Sequence, residues 1–152
     1  MTNIECSEKN KPVYTGSFKA VFVLALIIFP GCAAGKNSAL APSNLMCELL
    51  EHPEKTRIED SRPEFCWVVN SASSDDFQSA YQILVASDSI KLSRNGGDMW
   101  DTGKILSGES INVEYSGKQL LPETDYFWKV RTWDKTGAAS PYSAPQRFRT
   151  GG

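Results

Sequence analysis

Residues 120–134 read LLPETDYFWKVRTWD, and their phase decides the fold. The first six of them form a turn, because Pro122 fixes φ and has no N–H to give to a ladder. From Tyr126 onward large residues recur at every second position. Tyr126, Trp128 and Val130 point to one side, and Phe127, Lys129, Arg131 and Trp133 to the other. That period marks a strand with one face buried. Leu120, Pro122, Thr124 and Tyr126 also stand at the offsets of a tyrosine corner. In such a corner the Tyr126 ring packs in the core and its hydroxyl bonds back to upstream backbone. The plainer alternative is a strand that happens to begin with Tyr after a proline turn.

Corners of this kind belong to Greek-key sandwiches, and the rest of the domain is spaced like one. Residues 44–50 form a candidate strand stopped by His52 and Pro53. In residues 64–69 Phe65, Trp67 and Val69 share one face, which leaves Cys66 and Val68 on the other, directed outward. Residues 80–87 alternate clearly. Residues 88–97 form a polar loop whose Asn95-Gly96 pair predicts a tight reversal. Short strands follow around Trp100 and over residues 110–115, then the strand of Tyr126, a hairpin loop at 134–137 and a closing strand within 143–150. No helical period stands out in this region. Seven short strands with regular turn signals predict an all-β, seven-strand antiparallel Greek-key sandwich of the fibronectin type III kind. Its expected core is Leu45, Leu49, Trp67, Val69, Tyr81, Ile83, Val85, Ile111, Val113, Leu120, Tyr126, Trp128, Val130 and Phe148.

The sandwich is expected over residues 43–150. Ahead of it, residues 20–29 read AVFVLALIIF, an apolar run too short for a spanning helix and suited to the h-region of a signal peptide. Pro30, Gly31 and Cys32 follow, and a small residue before Cys directly after an h-region resembles a lipobox. Residues 1–31 are therefore expected to be a lipoprotein-type signal peptide, with Cys32 the lipidated residue. Secretion with cleavage near Ala34, or an uncleaved anchor, are the alternatives. Phe29 and Pro30 are not the residues a lipobox usually carries. Residues 32–42 read as a flexible tether to the membrane. The expected location is the bacterial cell envelope, in the periplasm or at the outer surface.

Net charge is −2, and no basic run suggests nucleic acid. The single histidine, His52, has no partner at a metal-ligand spacing. The acidic pairs Glu59-Asp60 and Asp75-Asp76 lie in turns and read as solvated charge. Neither a catalytic residue, a cofactor site nor a metal site is assigned. Cys47 and Cys66 lie on strands expected to be neighbours, and free thiols are favoured over a bond. Trp100, Trp133 and Tyr142 are candidates for contact with another domain or with sugar, against the simpler role of plugging the sandwich edges.

Five segments in order resemble one family. They are Pro42-Ser43-Asn44-Leu45-x-Cys47-Glu48, residues 80–87 (AYQILVAS), Trp100-Asp101-Thr102-Gly103-Lys104, Tyr126-x-Trp128-Lys129-Val130-Arg131-x-Trp133-Asp134, and Phe148-Arg149-Thr150. Together they are similar to the N-terminal β-sandwich of bacterial α-L-rhamnosidases, glycoside hydrolase family 78. The resemblance implies a non-catalytic, fibronectin type III-like domain. Further β-domains would follow it, then an (α/α)₆ barrel whose acidic residues hydrolyse terminal L-rhamnose. It carries over no catalytic residue, because no barrel sequence is present. Tyr142 stands where that family often has Trp. The expected partners are the later domains of a rhamnosidase and a membrane, reached through the lipid anchor. The chain is expected to be a truncated or split gene product, inactive alone. The alternative is a stand-alone surface lipoprotein whose sandwich binds protein or carbohydrate, such as rhamnosylated glycans.

Overall fold

The computed structural model describes residues 39–152. The proposed signal peptide, Cys32 and most of the proposed tether lie outside the described residues. The strands are β1 (Ala39–Cys47), β2 (Glu64–Ser71), β3 (Ala80–Ala86), β4 (Trp100–Asp101), β5 (Val113–Glu114), β6 (Asp125–Trp133) and β7 (Gln146–Arg149). A three-stranded sheet has the order β1-β2-β5 and a four-stranded sheet the order β4-β3-β6-β7. Every pairing between these strands is antiparallel. This is the seven-strand fibronectin type III arrangement, with the fourth strand beside the third. Residues 39–42, read from the sequence as tether, are already part of β1.

The inner faces meet on aromatics. Phe65 of β2 is fully buried, its ring centroid 4.3 Å from Trp128, 5.8 Å from Phe148 and 6.4 Å from Tyr115. Such pairs each add about 0.5–1.5 kcal/mol beyond burial. Two glutamines satisfy the buried indoles. The Trp67 Nε1–H donates to Gln78 Oε1 at 3.0 Å, and the Gln78 amide donates onward to the carbonyls of Ser107 and Glu109. The Trp128 Nε1–H donates to Gln146 Oε1 at 2.9 Å, and Gln146 Nε2 donates across to Leu45 O in the other sheet. An unpaired buried N–H costs about 1–3 kcal/mol, so these clamps fix the stacking of the sheets.

The tyrosine corner is present. Tyr126 is buried, and its hydroxyl accepts from the Leu121 N–H at 2.8 Å. Thr150 ties the same turn, accepting from the Thr124 N–H and donating to Leu121 O. Gly117 is required by close approach: a Cβ there would stand 2.5 Å from the Tyr115 hydroxyl and from Met99 O.

Four expectations are corrected. Leu49 and Ile111 are not core: they are 65 % and 64 % exposed. Strand β1 ends at Cys47, where Glu48 and Leu49 take positive φ, and Asn112 does the same just before β5. Period two therefore stops short of both residues. Val69 and Tyr81 are only partly buried. Cys66 faces away from Trp67 as expected but is not exposed, because the Asn112 backbone N–H donates to its sulfur and the loop covers it. Cys47 and Cys66 are both buried and free, and burial pushes the Cys47 thiol well above its usual range. Finally, the polar loop after β3 contains a short helix, α1 (Ser89–Ser93), whose N–H at Lys91 is capped by the Asp88 side chain. Asn95 ends that turn at φ 60°, the reversal the sequence predicts.

Candidate functional site

The outer face of the four-stranded sheet is where two of the three candidate aromatics, Trp133 and Tyr142, gather. On β6 the outward residues are Phe127, Lys129, Arg131 and Trp133, and their partners on β3 are Ala86, Leu84, Gln82 and Ala80. Helix α1 covers one half of this face. Its Leu92 packs with Leu84 and Ala86, and Phe127 and Tyr142 close over them. The other half is a ladder of alternating cations and rings. Lys104 Nζ lies 4.9 Å from the Trp133 ring centroid, and the Arg131 guanidinium 4.8 Å from the same ring. Arg131 is also 4.8 Å from the Tyr142 ring, and Lys129 Nζ is 4.6 Å from it. Contacts of this kind are worth about 0.5–2 kcal/mol each.

Local folding explains how each member arrives. Alternation along β6 delivers Lys129, Arg131 and Trp133 without further help. Lys104 follows Gly103 (φ 60°) and is fixed by a two-way backbone pairing of Ile105 with Tyr81. Tyr142 sits on a segment that lacks regular strand geometry yet lies beside β6. Ser140 N–H donates to Thr132 O and Ser143 N–H to Val130 O, both at 2.8 Å. In return the N–H groups of Thr132 and Val130 donate to the Ser140 and Ser143 hydroxyls at 3.0 and 3.1 Å. The two hydroxyls replace the carbonyls of a missing strand.

Gln82 is the polar hub. Its Oε1 accepts from Arg131 Nε at 2.9 Å and from the Tyr142 hydroxyl at 3.1 Å, and its Nε2 donates to Asp101 Oδ1 at 2.7 Å. Burial raises the Tyr142 hydroxyl above its ordinary range; Arg131 opposes that and the Asp101 carboxylate adds to it. Burial also lowers the Lys129 ammonium, whose Nζ donates to Asn95 Oδ1 at 2.6 Å.

Of the three aromatic candidates, Trp133 and Tyr142 are brought together here. Trp133 is 8 % exposed with cations against its ring, so it offers no open face for stacking on sugar. Trp100 is elsewhere. It pairs with Val85, turns inward and packs on Phe65 and Tyr115. Lys104, Gln82, Lys129 and Arg131 are not among the residues that the sequence marks as candidates. The last two were legible as outward neighbours of Trp133 on one strand; the others depend on pairing across the sheet. Among the described residues no group of three His, Cys, Asp or Glu side chains is placed to hold a metal ion.

An immunoglobulin-like sandwich with an aromatic core, a tyrosine corner and a cation–ring ladder on one outer face is the class these features define. Comparison with known proteins places it further. Residues 42–152 match the family described as Rha78A-like, N-terminal immunoglobulin domain, and the chain belongs to that family. It is 41 % identical over 114 residues to an α-L-rhamnosidase of Streptomyces avermitilis, an alignment covering 75 % of this chain and 11 % of that protein. It is 43 % identical over 94 residues to an α-L-rhamnosidase of Formosa agariphila, covering 62 % of this chain and 10 % of that one. The solved α-L-rhamnosidase of Dictyoglumus thermophilum superposes with a TM-score of 0.72 at 39 % identity, over 76 % of this chain and 13 % of that one. The chain thus spans about a tenth of the length of the curated relatives it matches.

Proposed function

We propose that this chain is the non-catalytic N-terminal β-sandwich module of an α-L-rhamnosidase, a glycoside hydrolase acting on terminal L-rhamnose. It works by packing against later domains and not by turnover of its own. The match of residues 42–152 to the N-terminal domain family carries this reading. The small share of each relative that the match occupies supports it.

The test uses a spliced enzyme. The full chain replaces the segment it matches in the S. avermitilis α-L-rhamnosidase. p-Nitrophenyl α-L-rhamnopyranoside is then offered to the spliced enzyme and to the chain alone. Turnover is expected from the first and none from the second. Turnover by the chain alone would make it an enzyme and sink the proposal, as would a spliced product without activity.

We also propose export and anchoring through lipid on Cys32, supported by the apolar run at residues 20–29 and the Gly31-Cys32 pair. Metabolic labelling with palmitate should mark the chain and disappear in Cys32→Ser. Equal label in the variant would refute the anchor.

A further inference from the structure

We propose that the open end of the ladder, where Lys104 and Arg131 flank the Trp133 ring beside Tyr142, is the surface on which this module receives a cluster of Asp and Glu side chains from a neighbouring domain of the same enzyme. The inference rests on the module reading above.

The charge is unbalanced where it stands. The chain carries −2 overall, yet Lys104 and Arg131 line this face beside the carboxylate of Asp101, with Lys129 buried behind them and held by Asn95. Among the described residues, Lys104, Arg131 and Lys129 take part in none of the ion pairs, although eight pairs between Lys or Arg and a carboxylate tie other charges. Arg131 spends only its Nε, on Gln82. The two Nη groups of its fork have no acceptor among the described residues, and that fork matches a carboxylate in bidentate geometry.

The shape favours protein over sugar. Carbohydrate and other small ligands are held in concave sites that bury most of their surface, whereas this ladder lies on the flat outer face of the β3–β6 pair, with Lys104 and Tyr142 reaching in from segments outside those strands. The Trp133 ring is already occupied by Lys104 and Arg131. Trp, Tyr and Arg are the residue types enriched at the centres of protein interfaces. The ladder also holds its cations in place before a partner arrives, which reduces the ordering cost of docking.

Lysine acetylation rates, measured on the full chain and on the spliced enzyme, decide the matter. In the spliced enzyme Lys104 should react about fivefold more slowly than in the free chain, as an interface core excludes reagent and water. Lys55, exposed on the 3₁₀ turn Pro53–Lys55, should react equally in both. The protection should fall in about 0.5 M salt, where charge pairs at a surface are screened, and in Arg131→Gln, with partial return in Arg131→Lys. A zero-length carbodiimide should join Lys104 to an Asp or Glu of a later domain. If the spliced enzyme turns over substrate while Lys104 stays as reactive as in the free chain, the docking face is wrong and the module reading survives. If the spliced enzyme is inactive, both fall. If an oligogalacturonate protects Lys104 in the free chain, an acidic glycan takes the place assigned here to protein carboxylates, and the proposal is overturned.

Discussion

Replacing Tyr126 by Phe removes one oxygen and leaves the ring of the corner in place. The oxygen accepts a single hydrogen bond, from the Leu121 N–H at 2.8 Å. A hydrogen bond of this type contributes about 0.5–1.5 kcal/mol net, and a donor left buried without an acceptor costs about 1–3 kcal/mol. Leu121 as a residue is 61 % exposed and its bond to Tyr126 is only partly buried, so the lower range applies. The turn also keeps its ties to Thr150. The expected loss is about 1 kcal/mol. For a domain with a urea slope of about 1–2 kcal/mol per M, the unfolding midpoint should drop by about 0.5–1 M with the slope unchanged. Urea denaturation of the full chain followed by tryptophan fluorescence reads this directly. Thr150→Val should cost a similar amount, and the double variant should show coupling of about 0.5 kcal/mol or more, because both side chains hold one turn. A Tyr126→Phe midpoint within about 0.2 M of the parent would show that the corner bond contributes nothing and refute the account of residues 120–134.

Three further outcomes are expected. Ser143→Ala leaves the Val130 N–H, deep in the sheet, without its acceptor and should cost about 1–3 kcal/mol by the same denaturation assay. Asp98 is governed by opposing effects: burial raises its carboxyl, while bonds from Lys91 Nζ, the Ser87 N–H and the Ser87 hydroxyl outweigh it and hold the group down to about 2. Its folded value lies below its ordinary 3.8, so its contribution is present above about pH 4 and lost as pH falls toward 2. Asp98→Asn should flatten that part of the acid limb in a pH series of melting temperatures. Cys47 and Cys66, both buried, should resist a thiol reagent in the native chain and react together on unfolding; fast labelling of either under native conditions would contradict their burial.

The sequence made the inner faces legible because period two is unambiguous where strands are long. Tyr126, Trp128 and Val130 on β6 and Ile83 and Val85 on β3 are all buried as their phase requires. It misled where strands are two residues long or have just ended. Leu49 and Ile111 carry apolar side chains in the right rhythm, but positive φ at Glu48, Leu49 and Asn112 breaks the phase. Helix α1 has five residues, too few for a 3.6-residue period to declare itself. The ladder was half legible. Lys129, Arg131 and Trp133 share one strand face, whereas Lys104 and Gln82 join them only through pairing between segments far apart in the chain, and Tyr142 through the irregular return of residues 140–143 beside β6.

The two serine hydroxyls that stand in for a strand have a consequence for how the protein behaves at high concentration. Half of the β6 edge is covered by β7, and the other half would be an open template for any extended peptide. Ser140 and Ser143 occupy its donors and acceptors at Thr132 and Val130 with a segment that contains Pro141 and is followed by Pro145. Proline cannot extend a ladder, so the sheet ends there and offers no growth point for runaway association into fibres. On a strand as rich in aromatic residues as β6, closing this edge with hydroxyl groups removes one template for association between copies.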